Sequence, residues 1–381
     1  MTIKDFHRTM PDAQVYLGQS RSWWSHTHLD AILCLLLLAL AGYGLFVFYS
    51  ASGQNVAAVQ RQLLRYGVAF GVMLVIACTP PRLFRRWAPW LFVLGVLTLI
   101  AVLLVGIGAK GAQRWLQVPG LPRFQPAELM KLIVPMTLAW YLAEKPLPPQ
   151  LSHAVKLLII MLIPTLLIAK QPDLGTAVLI ASSGVFVLLL SGLYWRYIVT
   201  AMVLAGACVP VVWTMMHDYQ KQRVLTFMNP ESDPLGAGWN IIQSKTAIGS
   251  GGIHGKGWLN GTQSQLDFLP ESQTDFIIAV LAEELGLVGV LILLAIYLCI
   301  IARGLYIASQ AQDTFGRLLA GSLTLTFFVY VFVNIGMVSG ILPVVGVPLP
   351  LVSYGGTSIV TLIAGFGLIM SIHSHRSLVT R

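Results

Sequence analysis

The stretch FIIAVLAEELGLVGVLILLAIYLCIIA, residues 276–302, decides the class of fold. Its only charged side chains are Glu283 and Glu284, and it exceeds the roughly 20 apolar residues that an α-helix needs to cross a bilayer core. A soluble domain would have to bury every face of such a helix, whereas a membrane helix can expose them to lipid. The stretch therefore predicts a membrane-spanning helix.

The composition of the whole chain agrees with this prediction. Hydrophobic residues make up 56% of the 381 residues and charged residues only 10%, against about 25% charged residues in an average soluble domain. The net charge of +9 is attributed to orientation in a membrane rather than to a nucleic-acid partner. Cys34, Cys78, Cys208 and Cys299 lie in apolar runs without metal-site spacing, which favours buried side chains over a disulfide or a zinc site.

Nine further apolar runs flank this segment, which predicts an all-α polytopic integral membrane protein with about ten transmembrane helices. The fourth, fifth and sixth runs are short for a span. The ten predicted spans lie near residues 30–49, 63–78, 88–107, 126–142, 154–169, 174–191, 197–216, 276–302, 318–338 and 351–372.

The distribution of Lys and Arg predicts the topology. Basic residues of the short loops concentrate on the side of the two termini, which favours cytoplasmic termini. Residues 1–29 then form a cytoplasmic segment without a cleavable signal peptide, 30–372 the transmembrane domain, and 373–381 a cytoplasmic tail. The long loop 217–275, between spans 7 and 8, faces the exterior, which in a bacterium is the periplasm.

A few basic residues fall on the outer side, against this bias. They could contact lipid headgroups, or they could line a basic cavity for an anionic ligand. These residues are Arg61, Arg65, Lys110, Arg114, Arg123 and Lys170.

The loop 217–275 is unusual for a connector, because connections of about 60 residues tend to be functional or disordered. Its glycines, between Gly249 and Gly257, allow tight turns and a close approach to a ligand. Lys256 is followed by glycine, which excludes a nucleotide P-loop. Several apolar side chains are spaced like buried or interfacial contacts: Trp239, Ile241, Ile242, Ile248, Trp258 and Leu259.

Asp275 is the last residue of this loop and opens the eighth span. It could be a helix-start acid favoured by the helix dipole, with Ser272 or Thr274 as the cap, or a functional carboxylate at the outer rim. Small residues follow on the same helical face, and they could pack closely against a helix or leave room for a lipid chain. They are Ala279, Ala282, Gly286 and Gly289.

Other ionisable residues lie within predicted spans, where charges are usually paired or functional. Glu283 could line the same cavity as Asp275 or bond to a neighbouring helix. Glu128 and Lys131 are three residues apart and share a helix face. They could form a structural ion pair, or Lys131 could hold a phosphate that Glu128 orients.

The segment GILPVVGVPLPLVSYGGTS, residues 340–358, precedes the last span and contains helix-breaking prolines and glycines. Irregular backbone at this depth must be buried in protein or line a cavity. Ser353 and the backbone N–H groups that follow could hold an anion at the helix start, or the segment could be a packing elbow.

No metal site is evident in the sequence. His217 and His254 are the only histidines on the predicted outer side, and no HxxxH or DxD pattern accompanies them. No cofactor is therefore assigned, although a divalent cation could assist the binding of an anionic ligand.

Four motifs resemble the SEDS (shape, elongation, division and sporulation) family. They are QPAELMK at 125–131, QPDLGT at 171–176, the run from GAGWN to AEELG at 236–286, and the run from GMVSG to YGGTS at 336–358. The likeness extends over essentially the whole chain from about Asp30. In LPESQTDF, Ser272 and Gln273 depart from relatives, which often carry a basic residue or histidine before Thr-Asp.

The resemblance implies a peptidoglycan glycosyltransferase that polymerises lipid II into glycan strands outside the inner membrane during cell elongation. The essential acid of the family corresponds to Asp275, which would be the general base on the acceptor hydroxyl. The implied partners are a class B penicillin-binding protein transpeptidase and other elongation-machinery proteins.

The residues themselves are compatible with this reaction, which inverts the donor linkage in one displacement. Basic residues would stabilise the leaving undecaprenyl pyrophosphate, and the candidates are Lys131, Lys256, Lys245 and Lys110. Two other interpretations are a lipid II flippase, which would use the same cations, and a scaffold that only anchors a periplasmic partner.

Overall fold

The computed structural model of the protein describes residues 29–109, 112–117, 123–216, 218–229, 237–265 and 271–375. Most of these residues are helical, and a short antiparallel hairpin pairs β1 (Ile107–Ala109) with β2 (Ala112–Trp115). The helices are α1 Ala31–Ala51, α2 Val56–Cys78, α3 Pro81–Val105, α4 Pro126–Leu142, α5 Leu151–Lys170, α6 Leu174–Leu190, α7 Trp195–Met215, α8 Asp218–Met228, α9 Ala237–Gly251, α10 Thr262–Gln265, α11 Ile277–Ser309, α12 Thr314–Val338 and α13 Thr357–Ser374.

The protein is a multi-pass membrane protein. Within the described residues, seven helices (α1, α2, α3, α5, α11, α12 and α13) are long and apolar enough to cross a membrane, and α6 and most of α7 are shorter apolar helices. Each of the ten predicted segments contains one helix, α4 included. Asp30, Asn55, Asp173 and Asp313 start four of these helices by accepting a hydrogen bond from a backbone N–H of the first turn.

Helices α4 and α12 form the centre of the bundle. α4 packs against α3, α5, α6, α12 and α13, and α12 packs against α4, α6, α11 and α13. Most residues of both helices are buried, although α4 is only 17 residues long. This enclosure explains how α4 can carry Glu128 and Lys131 inside the protein.

The predicted core position of the cysteines is wrong. Cys78, Cys208 and Cys299 are exposed on the outer surface of the bundle, and Cys34 is half-buried. In a membrane protein the outward face of a helix is as apolar as its inward face, because lipid replaces water there. Hydropathy therefore does not distinguish the two faces.

The two described ends of the chain meet at one end of the bundle. Asp30 accepts hydrogen bonds from Nε and Nη2 of Arg303, and His373 Nε2 lies 3.5 Å from the same carboxylate. Burial alone would raise the pKa of Asp30, but the hydrogen bonds from Arg303 and from the Leu33 N–H hold it below its usual value. This ion pair links the start of α1 to α11 and α13.

Helix α11 is kinked in its N-terminal part. Gly286 has φ +65° and ψ −161°, so the helical hydrogen-bond pattern is interrupted there. Although the loop 217–275 is long, its described part contains α8, α9 and α10, and α9 packs along α11. The described part of the loop is thus a folded layer, with Ile241 buried and Trp258 stacked on Phe46 of α1 at 4.6 Å.

Several predicted helix starts are wrong in detail: α2 and α3 begin at Val56 and Pro81, seven residues before the predicted spans. The last helix starts at Thr357 rather than at residue 351, because prolines and a positive φ at Leu351 keep the preceding residues in turns. Helix α11 starts at Ile277 after Phe276, and no side chain caps it, so neither Ser272 nor Thr274 is the cap. Asp275 therefore belongs to the turn before the helix.

Candidate active site

Asp275 lies in a turn whose backbone is held from two sides. Its own carbonyl accepts a hydrogen bond of 2.9 Å from the Asn334 amide of α12. The carbonyls of the two preceding residues, 273 and 274, accept from the Tyr354 N–H and from the Ser353 hydroxyl. Because three consecutive carbonyls are fixed, the position of the Asp275 carboxylate is determined by α12 and by the segment before α13.

The segment 340–358 forms a wall beside this carboxylate. Gly346 has φ +73°, and a Cβ built on it would lie 3.4 Å from an Asp275 carboxylate oxygen. The second N–H of the Asn334 amide donates to the Val347 carbonyl at 2.7 Å. Asn334 therefore joins the segment that carries the acid to the segment that lines it.

The structure gives Ser353 a positioning contact. Its hydroxyl donates to the Thr274 carbonyl and accepts from the Leu349 N–H at 2.9 Å, and the residue is 2% exposed. Donation to a substrate anion would require the bond from the hydroxyl to the Thr274 carbonyl to break. The packing-elbow interpretation of this segment therefore describes the geometry better than the anion-site interpretation.

Glu128 and Lys131 form the buried ion pair that their spacing predicts, with Nζ 2.7 Å from the carboxylate. The Thr361 hydroxyl of α13 donates to the other carboxylate oxygen at 3.1 Å, and the ammonium lies 4.8 Å from the centre of the Tyr330 ring. A cavity of about 30 Å³ beside Lys131 has room for a water molecule. The pair thus joins α4 to α12 and α13, and a phosphate would compete with Glu128 for Lys131.

Lys256 and Glu283 form a second ion pair, at 2.7 Å, between the long loop and α11. The Glu283 side chain is completely buried and also accepts the N–H groups of Thr262 and Gln263, at 2.8 and 3.0 Å. Glu283 therefore holds the loop against α11, and these partners lie in the loop and not on a neighbouring membrane-spanning helix. Lys256 is 28% exposed, so part of it can still be reached by a ligand.

The glycine-rich part of the loop approaches α11, not an open ligand site. The N–H groups of Lys256 and Gly257 donate to the carbonyls of Glu283 and Glu284, both at 3.0 Å, next to the kink. A Cβ on Gly255 would lie 2.1 Å from the Glu284 carbonyl oxygen. The expected close approach to a ligand is thus a close approach to the helix backbone.

The small face of α11 is also filled by protein. Gly251 of α9 lies against the Ala282 carbonyl, where a Cβ would be 1.9 Å from the oxygen. The Tyr43 hydroxyl of α1 donates to the Gly289 carbonyl at 2.9 Å. Of the two interpretations of this face, close helix packing is the one that the structure supports.

The other cations that were predicted to lie on the outer side differ in their surroundings. Lys245 lies on α9 with its Nζ 2.7 Å from the Cβ position of Gly340, and Lys110 lies outside the described residues. Arg65 donates to the Tyr354 hydroxyl at 2.8 Å, and its guanidinium lies 4.1 Å from the centre of that ring. Arg65 therefore touches the segment that holds the Asp275 turn.

Comparison with known proteins assigns the family. A model for FtsW, RodA and SpoVE, described as "Cell cycle protein", matches residues 30–378. The chain belongs to the FtsW/RodA/SpoVE family. This is the SEDS family, which the four sequence motifs resemble.

Two curated members of the family are similar over almost the whole chain. The peptidoglycan glycosyltransferase MrdB of Escherichia coli (strain K12) is 56% identical over 362 residues, which is 95% of this chain and 98% of that protein. The probable peptidoglycan glycosyltransferase FtsW of Trichlorobacter lovleyi is 36% identical over 356 residues, 90% of this chain and 92% of that protein.

Solved structures of the family share the fold. One comes from a study of the structural coordination of polymerization and crosslinking by a peptidoglycan synthase complex, with a TM-score of 0.80 and 30% identity over 91% of this chain and 99% of that chain. The crystal structure of the Thermus thermophilus rod shape determining protein RodA has a TM-score of 0.69 and 27% identity over 91% of this chain and 98% of that chain.

Asn334 is a residue of this site that sequence reasoning missed, and Tyr354 is one whose backbone N–H it assigned to a possible anion site, whereas that N–H donates to the Gln273 carbonyl. Asn334 is the single amide in the predicted span 318–338, and a polar group at such depth is a signal that could have identified it. Tyr354 contributes its backbone N–H, which no side-chain pattern reveals. Both act on the backbone of the Asp275 turn.

Proposed function

We propose that this chain is a peptidoglycan glycosyltransferase that polymerises lipid II at the outer face of the inner membrane, with Asp275 as the general base. The observation that carries the proposal is the fixed turn of Asp275, a half-buried residue whose carboxylate lies beside Gly346. The names of the MrdB and FtsW relatives support the reaction class.

In this reaction a sugar hydroxyl of one lipid II attacks the anomeric carbon of the other substrate. Asp275 takes the hydroxyl proton as the new C–O bond forms, while the bond to the pyrophosphate breaks. The electron pair leaves with the undecaprenyl pyrophosphate, and cations at the outer side stabilise the charge that develops on it. Lys131, Lys256, Lys245 and Lys110 remain candidates, and Arg65 joins them because it touches Tyr354.

The proposed topology has ten spans and both termini in the cytoplasm. The meeting of Asp30 with Arg303 and His373 supports placing the two described ends on one side. Residues 1–29 and 373–381 would then be cytoplasmic, 30–372 the transmembrane domain, and the layer formed by 217–275 periplasmic. A class B penicillin-binding protein is the proposed partner, which the synthase-complex relative supports.

A lipid II flippase is the second candidate function. It would need polar groups through the depth of the membrane, and Glu283 and Glu284 are the residues that could supply them. Glu283 accepts hydrogen bonds from Lys256 and two loop amides, and Glu284 accepts one from the Ser50 hydroxyl. These contacts favour a structural role for both carboxylates and therefore favour the enzyme.

The test uses the purified chain in lipid vesicles, with and without its transpeptidase partner. We expect glycan product from lipid II, and no product from Asp275→Ala. The matched control is Glu144→Gln, an exposed acid that pairs with Arg85 far from the site in the fold. Movement of lipid II across the bilayer without new glycosidic bonds would instead support the flippase, and altered partner affinity alone would support a scaffold.

A further inference from the structure

An apolar groove of about 490 Å³ lies between α6 and α12. Its side walls include Val178 of α6 and Phe328 and Phe332 of α12, and residues 342–345 close one end. Val178 is 52% and Phe332 53% exposed, so the groove opens on the outer surface of the helix bundle. Its volume lies within the ~300–1,000 Å³ that small-molecule sites occupy.

The closed end of the groove adjoins the candidate base. Val345 lines the groove, and the next residue, Gly346, lies against the Asp275 carboxylate. Val333 also lines it, and the next residue, Asn334, holds the Asp275 carbonyl. The groove and the Asp275 turn therefore share one wall.

Apolar lining alone does not select a ligand in a membrane, because bilayer chains are as apolar as the groove. A particular chain would be retained there only if a headgroup bound nearby kept its local concentration high. The Asp275 turn at the closed end provides a place for such a headgroup. A transmembrane helix, about 10–12 Å across and ~30 Å long, would exceed the groove several-fold in volume.

We propose that this groove holds the polyisoprenoid tail of a lipid-linked substrate whose headgroup lies at Asp275. The proposal rests on the proposed function for the identity of the headgroup. The tail leaves the headgroup at the level of 342–345 and runs between α6 and α12 towards the bilayer.

The first experiment compares substrates with long and short polyprenyl tails. Val178→Trp fills the groove at a half-exposed position, and Val178→Phe is a smaller change for the case that the first variant does not fold. Because a few methylene groups in an apolar pocket are worth ~10–200-fold, we expect kcat/KM for the long-tailed substrate to fall about tenfold relative to the short-tailed one. The matched control, Leu298→Trp, lies on the exposed face of α11 outside the groove and should leave the ratio unchanged.

The second experiment measures binding without turnover. A polyprenyl phosphate with a photoreactive tail is cross-linked to Asp275→Asn in vesicles, and the labelled peptides are mapped. We expect labels on α6 and on 328–333, competition by unlabelled long-tailed substrate, and at least fivefold less label in Val178→Trp.

The outcomes separate the two claims. Equal labelling of the groove and of the α11 surface would mean that ordinary bilayer lipid covers both, and would overturn the tail site. The tail site would also be overturned if Val178→Trp left the ratio of kcat/KM between long-tailed and short-tailed substrates unchanged. A defect of Val178→Trp that occurs only with the transpeptidase present would overturn it too, because it would indicate a docking surface for a partner helix. Competed labelling of the groove without any glycan synthesis by the wild type would contradict the proposed function and leave the tail site standing.

Discussion

Replacement of Asn334 by alanine tests whether the Asp275 turn must be held in place for catalysis. Asn334 is completely buried, and its amide donates to the carbonyls of Asp275 and Val347 at 2.9 and 2.7 Å. Asn334→Ala leaves both carbonyls without this donor. A buried polar group that loses its partner costs about 1–3 kcal/mol, so the free energy of unfolding should fall by roughly 2–4 kcal/mol after partial relaxation.

The catalytic effect should exceed what stability alone explains. The turn keeps two of its three carbonyl contacts, so the fold persists while the carboxylate gains freedom. A displacement of about 1 Å can reduce a rate ~100-fold, and we therefore expect kcat for lipid II polymerisation to fall about 10–100-fold with a small change in KM. The assay is the initial rate of glycan synthesis in nanodiscs, together with thermal unfolding of the same preparation.

The control is a bond of the same kind on the same helix. Ser322 is also completely buried, and its hydroxyl donates to the Ser183 carbonyl of α6 at 2.7 Å. Ser322→Ala should lower stability by about 1 kcal/mol and leave kcat unchanged. If Asn334→Ala kept the wild-type kcat while losing stability as Ser322→Ala does, the positioning role of Asn334 would be refuted.

Three further variants test other contacts. Lys131→Met should destabilise the protein by about 3–5 kcal/mol, because it leaves Glu128 charged and buried. Thermal unfolding should show that the double variant Lys131→Met with Glu128→Gln recovers stability. If the double variant also recovered polymerisation, a phosphate role for Lys131 would be refuted. Gly255 has φ +78° and lies against the α11 backbone, so Gly255→Ala should lower the free energy of unfolding by at least ~2 kcal/mol. The control Gly252→Ala, whose Cβ would meet nothing within 4 Å, should lower it by less. Equal losses of stability in the two variants would contradict the docking of the loop. The folded-state pKa of Asp30 lies below the unfolded value of about 3.9. The stabilisation by ionised Asp30 is therefore present above that pH and is lost as the pH falls through the folded-state pKa. The Tm deficit of Asp30→Asn relative to the wild type should be largest near neutral pH and shrink in acid, and a constant deficit would contradict the ion pair.

The helices could be predicted from hydropathy, because a span needs only length and apolar composition. Their exact ends could not, since the start of α13 depends on how residues 348–356 turn against α1 and α2. The kink at Gly286 was also hidden. Its hydrogen bonds are completed by residues 252–257, and a sequence does not reveal which distant backbone will supply them.

The candidate site was predicted in part. The pairing of Glu128 with Lys131 could be predicted from their helical spacing. Lys256 and Glu283 are 27 residues apart in the chain, so no local pattern predicted their pairing. The glycines of the loop indicated a close approach correctly but not what is approached. Ser353 was selected as part of a possible anion site at the helix start, whereas its hydroxyl holds the backbone of the Asp275 turn.

The central claim is that Asp275 accepts the proton of the attacking sugar hydroxyl. The most direct test is the single-turnover rate of glycan bond formation by Asp275→Asn, an isosteric variant that cannot act as a base, measured beside its affinity for lipid II and its Tm. We predict a rate at least ~100-fold below the wild type with affinity and Tm nearly unchanged, since general-base catalysis contributes about 10²–10⁴-fold. A wild-type rate in Asp275→Asn would contradict the account.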